Sequence, residues 1–296
     1  MTPFWPLYIE PVLRAQKPGR VMQIGAGDGE ISLRLLDYCR ESGCRADIID
    51  PRPHAGLQAA LAAHGEEHAF QRLQPWKAVP LGEAPDLVLL DGEPNWWAVF
   101  TVLDRLRRLA GERGRGFPIM LAHHVAWPYG RRDMYPVPDA VGEPHPFAYL
   151  GVDPDQPGLV QDGLGSRFAH AIEEGGPQNG VLTALEDFVA SAPLELELRV
   201  LPLLSGLGIL APFSRMTEEL RTMIDGFAAP EAAAQAVEAA SREALRMAAR
   251  LAETEARLER RTVALTRARE LLAEQEADLL ALRHRLAGKA GPGSAG

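Results

Sequence analysis

The sequence is poor in cysteine, has no excess of positive charge and contains no long apolar run. Its 296 residues include two cysteines, Cys39 and Cys44, which provide neither a disulfide framework nor a zinc site. We expect Cys39 to be a small buried side chain on the first long helix. Lysine and arginine number 31 against 40 aspartates and glutamates, giving a net charge of −9. Since no basic tract rises above that background, the composition argues against nucleic acid as a partner.

Membrane-spanning and export segments are not predicted either. No apolar run approaches the roughly 20 residues that cross a bilayer, and residues 1–16 lack the charged-then-apolar pattern of an export signal. The default expectation is therefore a cytoplasmic protein without a membrane span. The length and a hydrophobic content of 46% allow one large α/β domain plus an appendage.

The glycine-rich turn between the first predicted strand and the helix that follows it lacks the third glycine of a dinucleotide-binding turn. Three glycines lie at alternate positions after the apolar stretch 21–24: Gly25, Gly27 and Gly29. Glu30 occupies the position of the third glycine of a dinucleotide-binding turn. A second predicted strand, 46–50, ends in Asp50. This stretch resembles motif I of class I S-adenosylmethionine (SAM) methyltransferases, which implies SAM as cofactor; NAD, or a turn with no ligand, are the alternatives.

Two carboxylates in this stretch suit a cationic nucleoside cofactor. Asp50 would lie at the carboxyl end of a strand, where open α/β sheets bind ligands, and it can accept hydrogen bonds from ribose hydroxyls. Asp28 would lie near a helix N-terminus, where its charge is favoured by about 0.3–1 kcal/mol. The same charge would disfavour a pyrophosphate. The predicted cofactor-binding residues are Gln23, Gly25, Gly27, Asp28, Asp50 and Asp91.

The hydrophobic pattern predicts an α/β fold with a largely parallel sheet. Five short apolar segments alternate with helical ones, which favours parallel strands joined by right-handed crossovers. The predicted strands are 21–24, 46–50, 68–73, 86–91 and 118–122. The predicted helices are 6–15, 31–40, 56–63, 99–109 and 183–190. Segments 194–201 and 206–210 predict a closing antiparallel hairpin, as in the Rossmann-like sheet of class I methyltransferases.

A long insert rich in proline and glycine follows the fifth predicted strand. It covers residues 127–165, and we expect it to be irregular. Loops of this length in a compact domain are usually functional or disordered, and the aromatic residues and paired arginines argue against disorder. The predicted domains are a methyltransferase domain at 1–213, a linker at 214–229, a long helix at 230–288 and a flexible tail at 289–296.

The predicted C-terminal helix carries a leucine at every seventh position. These leucines are Leu251, Leu258, Leu265, Leu272, Leu279 and Leu286. A sustained seven-residue repeat indicates a coiled coil, although the second seam is half polar. Because a long helix in water needs a partner, we expect a homo-oligomer formed through residues 237–286. The alternative is a helix pair folded back on the domain.

Three motifs lie where the carboxyl edge of the predicted sheet would be. They are DGEPNWW from Asp91, HHVAWPYGRRDMY from His123 and GGPQNGV from Gly175. These motifs resemble a bacterial methyltransferase family grouped with cephalosporin-hydroxylase-like proteins, whose members carry DGD-x-N with two aromatic residues, HD followed by WPYGRRD, and GGP-x-NGV. The resemblance covers residues 5–212. Glu93 replaces the second aspartate of the first motif, and His124 replaces the aspartate of the second.

The resemblance implies roles for the residues at this edge. Asp91 matches an acid that contributes to a divalent metal or to the substrate pocket in related enzymes, and His123 matches the family histidine. His124 removes a hard oxygen ligand of the kind that Mg²⁺ prefers, whereas imidazole suits Zn, Ni or Fe. The sequence therefore leaves open whether a divalent metal binds; any metal would have Asp91 and His123 as ligands. Because adjacent strand residues alternate in direction, we expect His123 and His124 to point apart and not to share one metal.

An O-methylation site must deprotonate a hydroxyl and align it with the methyl group. We expect His123 to act as the base and Asp91 to orient it or the substrate; the alternative is a strand-end histidine with structural partners. The predicted substrate residues are Trp96, Trp127, Tyr129, Arg131, Arg132 and Asn179. The aromatic residues could pack against a sugar ring or another flat face, and the arginines could donate forked hydrogen bonds to an acidic group. Asn179 could contact the substrate from a glycine-rich turn. The alternatives are aromatic core packing, pairing of the arginines with Asp133 or Asp139, and helix capping by Asn179.

The leading hypothesis is a SAM-dependent methyltransferase that modifies an oxygen of a small-molecule or sugar-containing acceptor. The sugar is implied by the family resemblance and not by the composition. Two other hypotheses stay open: a catalytically degenerate SAM-binding scaffold assembled through the coiled coil, and a metal-dependent hydroxylase-like enzyme.

Overall fold

The computed structural model describes residues 1–62, 68–227 and 229–289. By their contacts these fall into two compact units, Met1–Glu238 and Ala239–Gly296. The first unit is built around a twisted sheet, and the second belongs to one long helix. Among the described residues, no helix is both long and apolar enough to cross a bilayer.

Seven strands form the central sheet of the first unit. In chain order they are β1 (Arg20–Ile24), β2 (Arg45–Ile49), β3 (His68–Gln71), β4 (Leu87–Leu90), β5 (Ile119–His123), β11 (Leu196–Leu201) and β12 (Leu207–Pro212). Their spatial order is β3-β2-β1-β4-β5-β12-β11. The first five are parallel, and β12 runs antiparallel to both β5 and β11. This confirms the predicted mixed α/β fold with a mostly parallel sheet and a closing antiparallel hairpin.

Helices cover both faces of the sheet because β1 and β4 are apolar on both sides. Val21 belongs to one core cluster together with Leu35 of α2 (Glu30–Ser42). Met22 belongs to the other, together with Leu106 of α5 (Trp96–Glu112). The remaining helices of this unit are α1 (Glu10–Gln16), α3 (Ala55–Ala62), α4 (Pro75–Ala78), α6 (Val181–Ser191) and α7 (Glu218–Phe227). Helix α8 (Pro230–Lys289) begins in this unit.

The chain reaches the sheet through a tightly packed N-terminal segment. A 3-10 turn at Thr2–Phe4 and a π-helical turn at Trp5–Ile9 precede α1, where the sequence predicted one helix over 6–15. Phe4 and Tyr8 are buried in the α2-side core. The segment is therefore part of the core and not a surface helix.

The two cysteines depart from expectation. Cys39 is buried on α2 as predicted, but its sulfur is bonded to that of Cys44 and is not a free apolar group. Helix α2 ends at Ser42, and Gly43 takes a left-handed conformation with φ of 74°. That turn brings the two Cα atoms to 4.5 Å, a separation that a disulfide can bridge.

The insert after β5 is ordered, so the expectation of an irregular segment ending at residue 165 is wrong. Three short strands, β6 (Met134–Tyr135), β7 (Phe147–Ala148) and β10 (Ala169–Ala171), form a small sheet. Two more, β8 (Gly151–Asp153) and β9 (Gln156–Val160), form a hairpin. The small sheet has its own buried cluster around Tyr135, which supplies the apolar contacts that a plain loop lacks.

The interval 214–229, read from the sequence as a linker, contains helix α7. Its residues Leu220, Ile224 and Phe227 are buried in the α2-side core, and the Phe227 ring meets the Tyr8 ring edge-on at 4.9 Å. The apolar face of this helix therefore stabilises the N-terminal segment.

The second unit is formed by the greater part of α8. Helix α8 spans 60 residues, and at 1.5 Å per residue it is about 90 Å long. Leu251, Leu258, Leu265, Leu272 and Leu279 are each between 59% and 61% exposed. The leucine stripe read from the sequence is thus an exposed helical feature, and the coiled coil stays a prediction.

Candidate functional site

A cleft of about 220 Å³ opens at the carboxyl edge of the central sheet. Residues that lie within three positions after the ends of β1, β2, β4 and β5 line this cleft. They are Gly25, Gly27, Asp50, Asp91, Glu93 and His124. The carboxyl ends of β1, β2, β4 and β5 meet there because these strands are parallel neighbours. Open α/β sheets bind ligands at this edge.

The glycine turn forms one side of the cleft. Gly25 has φ of 86°, and a Cβ added to it would overlap the backbone carbonyl of Asp91. Gly27 has φ of 53°, and a Cβ there would enter open space. Gly25 therefore allows β1 and β4 to approach, whereas Gly27 leaves room for a ligand to lie against the backbone.

Asp50 ties this turn to the end of β2. Its Oδ2 accepts a hydrogen bond from the backbone N–H of Ala26 at 2.8 Å, and its Oδ1 accepts one from Arg52 at 2.7 Å. A carboxylate has about four acceptor positions, so lone pairs remain for a ligand in the cleft. The position fits the hydroxyls of a ribose.

Two of the predicted cofactor residues do not line the cleft. Gln23 is buried and donates from Nε2 to the carbonyl of Gly25 at 3.0 Å. Asp28 is exposed, and its Oδ1 accepts from the N–H of Glu30 at 3.1 Å. Both support the turn from outside, and direct contact with a cofactor stays a prediction for them.

Asp91 and His124, which line the cleft, form a cluster with His123. Asp91 Oδ1 lies 2.6 Å from His123 Nδ1 and 3.3 Å from His124 Nε2. The two imidazole rings stack with centroids 3.9 Å apart. The expectation that adjacent histidines point apart is therefore wrong. His124 has φ of 66°, a left-handed conformation outside the strand, and this turns its ring onto the same carboxylate.

Hydrogen bonding sets the charge of Asp91, and burial sets that of His123. Burial would raise the pKa of the Asp91 carboxyl, but hydrogen bonds from His123 and His124 outweigh it and hold that pKa well below its usual range. Burial lowers the pKa of His123 to about 4, against the opposing hydrogen bond to Asp91. The cluster is thus an ionised carboxylate beside a neutral His123 at neutral pH. The α-amino nitrogen of Met1 lies 3.2 Å from Asp91 Oδ2 and adds a positive charge.

The two histidines differ in access to the cleft. His123 has partners at both ring nitrogens, Asp91 at Nδ1 and the Ser205 hydroxyl at Nε2, 2.6 Å away. Its side chain is 11% exposed, against 24% for His124. His124 lines the cleft, whereas its Nδ1 is buried and has no hydrogen-bond partner among the described residues. Ser205 lies in the β11–β12 turn, where no pattern in the sequence marks it.

Arg52 and Glu93 were not among the predicted site residues, although both line the cleft. Glu93 Oε1 lies 3.5 Å from an Arg52 terminal nitrogen. Its Oε2 is buried without a partner among the residues that the structure describes. Burial raises the pKa of Glu93, with Arg52 opposing. The DGE motif contained the signal for Glu93, and only its contact with Arg52 required the structure.

The paired arginines are both engaged within the protein. Arg131 forms a forked ion pair with Glu186 and also contacts Thr183. Arg132 is buried and donates to the carbonyls of Ala171 and Ile172, at 2.6 and 2.7 Å, and to Glu174. The predicted pairing with Asp133 or Asp139 is replaced by these partners. Both arginines attach the insert to its neighbours, and substrate contact stays a prediction.

The remaining predicted substrate residues divide into two groups. Trp96 donates from its indole to Asp187 at 2.7 Å and stacks on Phe100. Asn179 accepts from the N–H of Asp133 and donates to two carbonyls, so its amide is fully used inside the insert. Tyr129 instead meets the His124 ring at 5.4 Å, and Trp127 is 43% exposed. The structure brings only Tyr129 of these four into contact with the histidine cluster.

Comparison with solved structures finds similar chain folds among methyltransferases. The chain is similar to the methyltransferase PaMTH1 of Podospora anserina with bound S-adenosylhomocysteine (SAH), at 16% identity over 71% of this chain and 77% of that chain, with a TM-score of 0.44. It is also similar to an O-methyltransferase of Bacillus cereus with SAH, at 12% identity over 72% and 82% of the chains and a TM-score of 0.41. A third similar structure is the O-methyltransferase TomG of Streptomyces achromogenes with SAM. The identity is 14% over 69% of this chain and 77% of that chain, and the TM-score is 0.39. With TM-scores below 0.5, these likenesses do not bear on the function of this chain. No protein-family model and no curated protein sequence matches it.

Proposed function

We propose that the chain is a SAM-dependent methyltransferase that transfers a methyl group to an oxygen of a small-molecule or sugar-containing acceptor. One observation supports this most: the lining of a single cleft combines the glycine turn and Asp50, here called the glycine wall, with Asp91 and His124 of the histidine cluster, here called the histidine wall. A nucleoside cofactor held on the glycine wall would extend towards the histidine wall. The strand order, with an antiparallel strand inserted next to the parallel edge, agrees with the sheet that the family resemblance implies.

The residues of the glycine wall fit SAM. The open space at Gly27 admits a nucleoside against the backbone, and the free lone pairs of Asp50 can accept from ribose hydroxyls. The ionised Asp91 places negative charge in the cleft, which suits a sulfonium and opposes a pyrophosphate. When bound, SAM would supply an already activated methyl group.

Within the histidine cluster, the geometry favours His124 over His123 as the base. Asp91 Oδ1 accepts a hydrogen bond from His124 Nε2, 3.3 Å away, so the lone pair lies on Nδ1. This nitrogen is buried and has no partner among the described residues, and an acceptor hydroxyl that binds against it would lose its proton to it. His123 has both nitrogens engaged and a pKa lowered to about 4 by burial. We therefore assign His123 and Ser205 to positioning Asp91, and His124 to the proton transfer. Alignment of the hydroxyl with the methyl group supplies much of the remaining rate.

The test is methyl transfer from radiolabelled SAM to pools of glycans, phenols and carboxylic acids. We expect product with the wild-type chain. His124→Ala should lower transfer by about 100-fold or more, within the range of general base catalysis, while SAM binding by calorimetry stays within twofold. The matched control is His54→Ala, since His54 is an exposed histidine outside the lining of the cleft.

Failure with every acceptor pool, together with intact SAM binding, would contradict the enzyme and favour a degenerate SAM-binding scaffold. Transfer that persists in His124→Ala and disappears in His123→Ala would restore the base role to His123. A metal-dependent hydroxylase-like enzyme is a second candidate, because two imidazoles and a carboxylate converge at the same edge, a ligand set known from non-haem iron oxygenases. Metal analysis after purification, with turnover assayed under oxygen, separates it from the transferase.

We also propose that residues 237–286 associate with a second copy of the chain, and that the protein works in the cytoplasm. Support for association comes from the five leucines about 60% exposed at seven-residue spacing, since such a stripe in water favours pairing. Light scattering on the full chain should give a dimer or higher oligomer. The double variant Leu258→Asp, Leu265→Asp should be monomeric. Val263→Asp, at an equally exposed position off the stripe, should not change the mass.

A further inference from the structure

The Asp91–histidine cluster has the composition of a metal site, but not of the Mg²⁺ site that the family resemblance implies. We infer that Asp91, His123 and His124 bind a divalent transition metal of the zinc and cobalt class and discriminate against Mg²⁺. One ligand atom from each residue lies within 4.8 Å of the other two. The inference does not require that the chain transfers methyl groups.

The three ligands are held by neighbouring strand ends. Leu90 pairs with Ala122 in the β4–β5 register, so Asp91 and His123 lie side by side at the ends of these strands. The left-handed backbone of His124, with φ of 66°, then returns the second imidazole to the same carboxylate oxygen. Ligands placed on strand ends are positioned more rigidly than ligands on long loops.

Outer contacts also suit a metal. Metal-binding histidines usually donate their other ring N–H to a polar partner, which sets the tautomer. With a metal on His123 Nδ1, the proton would lie on Nε2 and point at Ser205 Oγ, 2.6 Å away. The Met1 α-amino nitrogen lies 3.3 Å from His123 Nδ1 and borders the same space. A bound cation would displace this amine or take it as a further ligand.

The donor set selects the metal. Mg²⁺ prefers near-octahedral oxygen donors and keeps its water, whereas imidazole nitrogen suits Zn²⁺, Co²⁺, Ni²⁺ and Fe²⁺. The cluster offers one carboxylate and two imidazoles, so Mg²⁺ does not fit it. Three protein ligands leave a coordination position open, and the 24% exposure of His124 directs that position towards the cleft.

A metal on His124 Nε2 has a consequence for the proposed base. It would leave the proton of that imidazole on Nδ1, the atom proposed to accept the proton of the substrate. The metal-bound form would then lack a base, and the metal would inhibit transfer if transfer occurs. Binding and activity are therefore separate readouts.

The experiment is titration of the chelator-treated full chain with Co²⁺, followed by its visible absorption bands and by calorimetry without SAM. We expect one Co²⁺ per chain, with Mg²⁺ in millimolar excess unable to displace it. His124→Ala should weaken Co²⁺ by at least about 100-fold, since loss of an outer-shell partner alone costs about 10- to 100-fold. His54→Ala should bind as the wild type does. His124→Asp should weaken Co²⁺ and allow Mg²⁺ to compete.

Ser205→Ala provides a milder variant in case the histidine variants unfold, which circular dichroism would reveal. It should weaken Co²⁺ by about 10-fold through the lost partner of His123. Absence of Co²⁺ binding, equal binding by folded His124→Ala, or displacement by Mg²⁺ from the wild type would each overturn the inference. Because no step of the titration uses SAM, a failed methyl-transfer assay would leave its outcome unchanged.

Discussion

The two walls of the cleft are built in different ways. On the glycine wall, backbone conformation creates the space, and Asp50 fixes it through two backbone N–H groups, those of Ala26 and Arg52. On the histidine wall, side chains create the site, and their arrangement depends on the backbone of one residue, His124. The glycine wall is therefore defined by backbone conformation and the single carboxylate of Asp50. The histidine wall is defined by ionisable side chains that interact with one another.

This difference predicts how each wall fails. A change on the glycine wall should remove ligand binding and stability together, because turn, strand contact and pocket share the same atoms. A change on the histidine wall should alter chemistry or metal binding while the sheet stays intact. Substitutions on the two walls can therefore be compared by measuring SAM affinity, thermal stability and transfer on the same variants.

The largest effect is expected from Gly25→Ala. The new methyl group would overlap the carbonyl of Asp91, and φ of 86° is unfavourable for alanine. Together these should cost about 2–5 kcal/mol of the free energy of unfolding, and SAM binding should be undetectable by calorimetry. Denaturant unfolding measures the first quantity.

Gly27→Ala is the control for that prediction. Its φ of 53° carries the left-handed cost of about 1–2 kcal/mol, but the added methyl group meets no atom within 4 Å. The variant should fold and still lose SAM affinity, because the methyl group enters the space assigned to the cofactor. If both variants lost the same stability, the close approach of Gly25 to Asp91 would not be the reason that position 25 requires glycine.

An intermediate effect is expected from Asp50→Asn. The asparagine side chain can accept a hydrogen bond from only one of the two backbone N–H groups, and its NH₂ group would face the other, a donor against a donor. The negative charge of the carboxylate is also lost. Loss of a charge-assisted hydrogen bond costs about 1.5–3 kcal/mol, so SAM should bind about 10- to 100-fold more weakly in calorimetry.

Asp28→Asn is the matched substitution on the same turn. Asp28 is exposed and contacts the N–H of Glu30, a contact that asparagine can also make, so SAM affinity should change less than threefold or so. A larger loss with Asp28→Asn than with Asp50→Asn would transfer the ribose role to Asp28 and weaken the assignment of the glycine wall.

The sheet and the glycine wall were predictable from the sequence because each depends on local signals. Apolar runs of four or five residues specify buried strands, and Asp50 follows such a run directly. The histidine wall was predictable in composition but not in geometry. Strand alternation predicts opposed side chains, and nothing local indicates that His124 leaves the strand with a positive φ.

Other features were not predicted because they depend on distant partners or on a turn that the local pattern does not show. The guanidinium of Arg132 is satisfied by carbonyls about forty positions later in the chain, at Ala171 and Ile172. The structure of the insert depends on this contact and on its own small sheet, and the proline- and glycine-rich sequence does not indicate either. The Cys39–Cys44 bond required knowledge that the chain reverses at Gly43.

A smaller effect than that of Asp50→Asn, and the sharpest test of the histidine wall, is expected from Ser205→Ala. Removing the hydroxyl leaves His123 Nε2 without its partner at 2.6 Å, at a cost of about 1 kcal/mol, which is about fivefold in rate. If His123 and Ser205 only position Asp91, methyl transfer should fall by that factor while the SAM dissociation constant stays unchanged. Ser191→Ala, which removes a hydroxyl bonded to the α6 backbone, should alter neither quantity. A Ser205→Ala variant that lost SAM affinity instead would mean that the two walls are one coupled unit, and the contrast between them would not hold.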